Sequence, residues 1–264
     1  MKNKKVYGVV PPIVTPVDEN EKVDEKAFRK LINRCIDKGI HGIFVCGSNG
    51  ECMGLTQKER DRAIKIAIEE VGDRVPLIAG CMDSSTQRVI ENIKRFEDMG
   101  GKIAVVTPVF YARHATQDET VQHFEEISKH TEAELMIYNI PTFTGQTLKA
   151  EFILMQGQTS LAIPSMLLGA DGYVPSLAPL FPEPYIKLYE AGRAGNIDEA
   201  MKWGEIVDET CKIYPMAKSQ TASTKYAMSK LGFLDKRVIR PTEKITAEEE
   251  RKIDLKIEEL KEYL

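Results

Sequence analysis

At 264 residues the chain is long enough for one large core, and α/β barrels commonly reach this size as a single domain. Lys and Arg number 36 against 40 Asp and Glu, the formal net charge is −4, and no basic run is interleaved with aromatics, which argues against nucleic acid or an anionic membrane as partner. Five cysteines without a CxxC spacing, no apolar stretch of signal-peptide length in MKNKKVYGVVPP and no 18-residue apolar run argue against a disulfide scaffold, export and membrane spans, so a soluble cytoplasmic protein with reduced, mostly buried thiols is expected.

Short Val/Ile-rich runs alternate with segments of helical period as far as about Pro182, the pattern of a parallel sheet with crossover helices. In chain order the strands are predicted at 6–14, 42–46, 76–80, 102–108, 134–139, 153–157 and 171–176, seven in all. Between them helices are predicted at 27–39, 57–73, 86–101 and 118–131, most of them closed by glycine or a polar cluster. From Glu183 onwards the chain reads as helical, with further helices at 196–214, 221–232 and 247–264. The expected fold is α/β: residues 1–182 as a βα barrel, and 183–264 as the last barrel helix and a C-terminal helical segment of the same unit.

In such a barrel the reactive groups stand on loops after the strands. After the second strand comes GSNGE, where Gly47 and Gly50 bracket Ser48 and Asn49, so that backbone N–H groups and a hydroxyl can converge on a carboxylate. The same pattern also serves as a plain turn. Glu51 is expected to cap the following helix rather than join a site. After the fifth strand comes YNIPTFTG, where Tyr138 is placed either to shuttle protons in the barrel mouth or to satisfy its hydroxyl at the rim. The fourth strand ends in TPVFYARH, with Phe110 or Tyr111 leaning towards the mouth or packing elsewhere. His41, His114, His123 and His130 have no metal-ligand spacing, and His123 and His130, seven apart on one helix, are expected to be solvated. GSNGE is too short for a dinucleotide fingerprint and lacks a P-loop lysine, so neither cofactor nor metal is expected.

Taken in order, PPIVTP (11–16), GSNGE, LIAG, VTPVFY, YNIPTFTG and QGQTSLAIPSMLLGADGYVPSL (156–177) resemble the dihydrodipicolinate synthase and N-acetylneuraminate lyase family over nearly the whole chain. The resemblance implies a (β/α)8, or TIM, barrel with a C-terminal helical segment, usually in tetramers built from tight dimers, and Schiff-base chemistry between a lysine and pyruvate or another 2-oxo acid. It assigns Ser48 and Asn49 to the substrate carboxylate and Tyr138 to a proton relay. Phe110 or Tyr111 takes the position of a second tyrosine that crosses the dimer interface. Phe143 stands where synthases carry an arginine for the second substrate, and an apolar ring cannot clamp an anion in that way.

One part of the family pattern is missing. YNIPxxTG should lead through a helix to a strand ending in the Schiff-base lysine, then a helix, before the strand that resembles LMQGQ. Here TLKAEFI joins LMQGQ directly, so about one βα unit, roughly 30 to 40 residues, is absent. None of the seven strand ends bears a lysine. Lys149 lies in the return segment, Lys102 starts a strand, and Lys187 falls in a helix. Thirteen residues from Pro141 to Ile153 must make the crossover, with QTLKAEFI giving at most about two helical turns.

The expectation is therefore a barrel of about seven strands that is open, distorted or domain-swapped, more readily a homodimer than a tetramer. Its family lyase reaction is impaired or lost, which leaves open whether it is an enzyme. Two other readings stand beside this one: an active 2-oxo acid lyase using a repositioned lysine or acid/base chemistry by Tyr138, and a non-catalytic protein that binds or senses a 2-oxo acid.

Overall fold

The computed structural model describes residues 6–146, 148 and 155–264. They fall in two compact units, one of Met1–Pro76 with Ile153–Leu264 and one of Leu77–Phe152. The short crossover expected over QTLKAEFI lies largely outside the described residues, as does Lys149.

In the first unit, β1 (Gly8–Val9) and β6 (Met155–Gln156) flank β7 (Gly172–Tyr173), all parallel. Gly8 and Gly172 pair directly, and a Cβ on Gly172 would lie 2.2 Å from the Gly8 carbonyl oxygen, so the close approach needs glycine there. β2 (Ile43–Val45) is tied to the segment after β1 by Ile13 N–H donating to the Phe44 carbonyl and Phe44 N–H to that of Pro11. In the second unit, β3 (Leu77–Gly80), β4 (Ile103–Val106) and β5 (Glu134–Ile137) pair in parallel. The seven strands expected from the apolar runs are thus all present, each shorter than its run because only the paired centre is regular.

The helices begin where side chains satisfy the first N–H groups. Asp24 caps α1 (Glu25–Asp37), Thr56 caps α2 (Gln57–Val71), Ser85 caps α3 (Thr86–Asp98) and Thr116 caps α4 (Gln117–Ser128). Later in the chain come α5 (Pro141–Thr144), α6 (Ala162–Leu167), α7 (Pro182–Arg193), α8 (Ile197–Cys211), α9 (Gln220–Ser229) and α10 (Ala247–Glu259). A capping box between Thr246 and Glu249 starts α10. Helix α6 has no counterpart among the predicted elements. Its Pro164 lies in the first turn, where a missing N–H costs nothing, so the proline that argues against a helix is tolerated.

The strands differ in cover. All four residues of β4 are buried, whereas in β5 Glu134 is exposed and Leu135, Met136 and Ile137 are half-buried. β5 ends its sheet, and β6, likewise terminal in its own, is half-buried too. Continuous apolar runs suit strands covered on both faces, so β5 has the sequence of an interior strand and the exposure of an edge.

Cys35, Cys46, Cys52 and Cys81 are buried, Cys211 is half-buried, and none is in a disulfide. Burial pushes the Cys35 thiol up to about 12. No helix among the described residues is long and apolar enough to cross a membrane.

One histidine departs from expectation. His123 is 3% exposed rather than solvated, because Thr120, His123 and Ile127 share the inward face of α4. Its Nε2 donates to the Thr107 carbonyl at 3.1 Å, and Nδ1 meets the Thr86 hydroxyl at 2.9 Å. His130 is exposed, as expected. Burial lowers His123 from 6.5 to about 4, with the Thr107 carbonyl opposing the shift. A base held neutral in the fold but free to protonate when unfolded contributes stability that is complete above about pH 6.5 and lost as pH falls towards 4, about 3 kcal/mol at most. Urea melts at pH 7 and 4.5 should show a smaller acid loss for His123→Gln than for the parent, by about 2 kcal/mol. Equal losses would exclude His123 as a source of acid lability.

Candidate functional site

The GSNGE segment leaves β2 as a turn whose left-handed residues are not its glycines. Cys46 and Glu51, one on each side of Gly47–Gly50, have φ of 53° each. The glycines are required for space: a Cβ on Gly47 would lie 2.9 Å from the Phe44 ring, and one on Gly50 3.1 Å from the Cys46 nitrogen. Thr15 donates its hydroxyl to the Gly50 carbonyl at 2.8 Å, and the buried Asn49 carboxamide donates to the Ser176 hydroxyl.

Two further bonds orient the peptide planes. Glu51 N–H donates to the Ser48 carbonyl at 3.0 Å, and Cys52 N–H to the Gly47 carbonyl at 3.3 Å. Among the described residues no acceptor takes the N–H groups of Ser48 and Asn49 or the half-buried Ser48 hydroxyl. Successive N–H donors without an acceptor, beside a hydroxyl, are the kind of groups from which anion-binding concavities are built.

Glu51 does not cap a helix, since Thr56 caps α2. It is buried, one carboxylate oxygen against the ammonium of Lys225 and the other accepting from Ile239 N–H at 2.7 Å. Lys225, 0% exposed on α9, was outside the predicted site altogether. Burial lowers its amine from the ordinary lysine value, while the Glu51 charge pulls the other way. The available sequence signal was weak: a lysine amid Ala, Ser and Thr on a helix with little polar face. Tyr214, also not anticipated, meets Ser176, and burial raises its phenol while hydrogen bonds from Ser176 and Leu177 oppose the rise.

The remaining predicted residues belong to the second unit. Tyr138 follows β5, is half-buried, and donates its N–H to the Val106 carbonyl at 2.7 Å. Phe143 lies on α5, 69% exposed. Phe110 is half-buried, whereas Tyr111 is 97% exposed and left-handed at φ 71°.

Among the lysines weighed from sequence, Lys102 precedes β4 and is exposed, and Lys187 is exposed on α7 with its ammonium 3.0 Å from Glu190, which raises its pKa. The described residues hold no group of three or more His, Cys, Asp or Glu side chains able to hold a metal ion.

The model of the Dihydrodipicolinate synthetase family matches the chain in two segments, 5–154 and 148–260. A 4-hydroxy-tetrahydrodipicolinate synthase of Methanopyrus kandleri is 28% identical over 232 aligned positions, covering 74% of this chain and 77% of the relative. An uncharacterized DapA-like lyase of Pyrococcus horikoshii is 27% identical over 281, covering 92% and 96%. The crystal structure of dihydrodipicolinate synthase from Bacteroides thetaiotaomicron is similar with a TM-score of 0.90 at 26% identity, covering 97% of this chain and 99% of that one. YagE, an E. coli K12 prophage protein of the dihydrodipicolinic acid synthase family solved in complex with pyruvate, has the same fold, with a TM-score of 0.90 at 21% identity over 98% and 99%. The α/β fold of parallel strands and helices thus matches the TIM barrels of these proteins.

Proposed function

Because the chain belongs to the Dihydrodipicolinate synthetase family, we propose that it is a lyase-family barrel that keeps a carboxylate seat for pyruvate or another 2-oxo acid but has lost the imine-forming lysine. The observation that carries this reading is the pair of unused N–H groups on Ser48 and Asn49 beside the Ser48 hydroxyl, in the turn where the family binds its substrate carboxylate.

Four observations support loss of a βα unit. Coverage of 74% of 264 residues is about 195, fewer than the 232 positions aligned with the Methanopyrus enzyme, so about 37 positions find no residue here. The Pyrococcus alignment leaves a similar deficit, about 243 residues for 281 positions. The family match divides at 148–154, the predicted point of loss. Finally, β5 and β6, each terminal in its sheet, are half-exposed, and β5 has the apolar run of a covered strand. Such a barrel stays open, is distorted, or is completed by exchange with a second copy.

Without the lysine, Tyr138 is a vestigial proton relay. Tyr111 rather than Phe110 takes the second-tyrosine position, since a fully exposed ring on a left-handed backbone is presented outward to a partner copy. A homodimer and a cytoplasmic setting complete the reading. The exposed Phe143 ring offers no clamp for a second anionic substrate.

Neither of the two described lysines weighed from sequence favours a repositioned nucleophile. Both are exposed, and the ion pair of Lys187 holds its amine protonated.

Calorimetric titration with pyruvate tests the seat. The parent should bind, and Ser48→Ala, which removes one hydrogen bond to a charged group worth about 1.5–3 kcal/mol, should bind at least tenfold more weakly. No binding by the parent, or undiminished binding by the variant, would overturn the reading.

A further inference from the structure

The N–H groups of Ser48 and Asn49 are aimed indirectly. A peptide unit is planar and trans, so fixing its carbonyl oxygen on one side points its N–H to the other. The Ser48 carbonyl is held by Glu51 N–H and the Gly47 carbonyl by Cys52 N–H. These two peptide units carry the N–H groups of Asn49 and Ser48 respectively. The direction of both seat donors therefore depends on where the backbone of Glu51 and Cys52 stands.

Glu51 stands in a conformation that a residue with a Cβ adopts at a cost, φ 53°, and must be held there by its surroundings. Its carbonyl accepts from the N–H groups of Gly54 and Leu55, and both oxygens of its side chain are engaged, by Lys225 and by Ile239 N–H. The Lys225 ammonium is fully buried and forms its ion pair among the described residues with the Glu51 carboxylate, with the Asp235 charge adding a weaker attraction. A neutral or apolar pair of similar volume would pack there at little cost in stability. What an ion pair adds is a single, directed geometry.

We propose that Lys225 and Glu51 are positioning residues, a buried strut behind the GSNGE turn that aims the Ser48 and Asn49 N–H groups at the substrate carboxylate. The inference rests on the carboxylate seat proposed above. It names residues that do not touch the substrate themselves, and it makes affinity for a small anion depend on a helix late in the chain.

The test compares the parent with the double variant Glu51→Gln/Lys225→Met, which removes both charges and keeps an acceptor for Ile239 N–H. Residue-resolved amide hydrogen exchange and pyruvate titration are measured on each. The expected result is exchange of the Glu51 and Cys52 amides at least tenfold faster in the variant, with unchanged rates in β4, and pyruvate affinity at least tenfold weaker. Unchanged exchange at Glu51 and Cys52 overturns the strut, whatever happens to binding. Faster exchange with undiminished pyruvate affinity overturns the aiming role.

Faster exchange in a protein whose parent form binds no pyruvate upholds the strut and sinks the carboxylate reading instead. Should the double variant not fold, Glu51→Gln alone takes its place. Lys225 can then shed its proton, and the same amide rates decide.

Discussion

Incubated with millimolar pyruvate and sodium borohydride, the protein should keep its intact mass, while a family synthase treated alongside gains one reduced adduct per chain. An imine forms only when a neutral amine can reach the substrate carbonyl at bonding distance and angle, and misplacement by about 1 Å already costs roughly a hundredfold. The proposed loss of the imine-forming lysine predicts that no lysine meets this requirement. Lys102 and Lys187 are exposed, and Lys187 is held protonated by Glu190. Burial lowers the Lys225 amine, but it is 0% exposed and closed off by Glu51. Labelling at least about 100-fold below the control is expected. A single modified lysine found by peptide mapping would name a replacement nucleophile and end the lost-activity reading. Modification of Lys149 would place the nucleophile in the segment that follows YNIPTFTG, and of Lys225 would report an opening of the buried pair.

Removing one partner of that pair should produce the largest loss of stability. Lys225→Met leaves the Glu51 carboxylate buried with one oxygen still bonded to Ile239 N–H and its counter-charge gone. Stranding a buried charge costs about 3–5 kcal/mol, which for a chain of this length lowers Tm by roughly 10 °C. Glu51→Gln should cost less, since burial already favours the neutral amine of Lys225 and no charge need remain. Thermal and urea melts of both single variants and the double variant form a cycle. A double variant more stable than Lys225→Met alone is the expected signature. A Lys225→Met melt within about 0.5 kcal/mol of the parent would mean that water reaches Glu51 and that the pair is not a closed one.

The strands and most helices were legible in the sequence because both depend on local signals. Val/Ile runs marked β1 to β7, and Asp24, Thr56, Ser85 and Thr116 stand where helices need caps. The carboxylate turn was legible as a pattern of small residues but not in its mechanics. The sequence points to Gly47 and Gly50 for the special backbone, whereas the left-handed positions are Cys46 and Glu51. The glycines are needed instead for space, beside the Phe44 ring and the Cys46 backbone.

Glu51 and Lys225 could not be paired by reading, because their contact joins a loop early in the chain to a late helix. His123 was misjudged for a different reason. Spacing from His130 suggested a solvated face, but the buried stripe of α4 runs through Thr120, His123 and Ile127 while Val121, the more apolar residue, is 53% exposed. Helix α6, six residues long, is too short to show a helical period. For Glu51, Lys225 and His123 a tertiary contact outweighed a local preference.

The buried thiols turn the protein into its own clock of opening. A thiol reagent attacks the thiolate, and a cysteine withdrawn from water, as Cys35 is on α1, reacts only during excursions that expose it. Cys35 and Cys81 belong to different compact units, so the time courses of their modification are two independent hands on that clock. Equal rates would mean that the chain breathes as one cooperative body. A faster Cys81 would mean that the unit holding the half-exposed β5 comes apart first, so that resistance to opening is set unit by unit rather than shared by the whole chain.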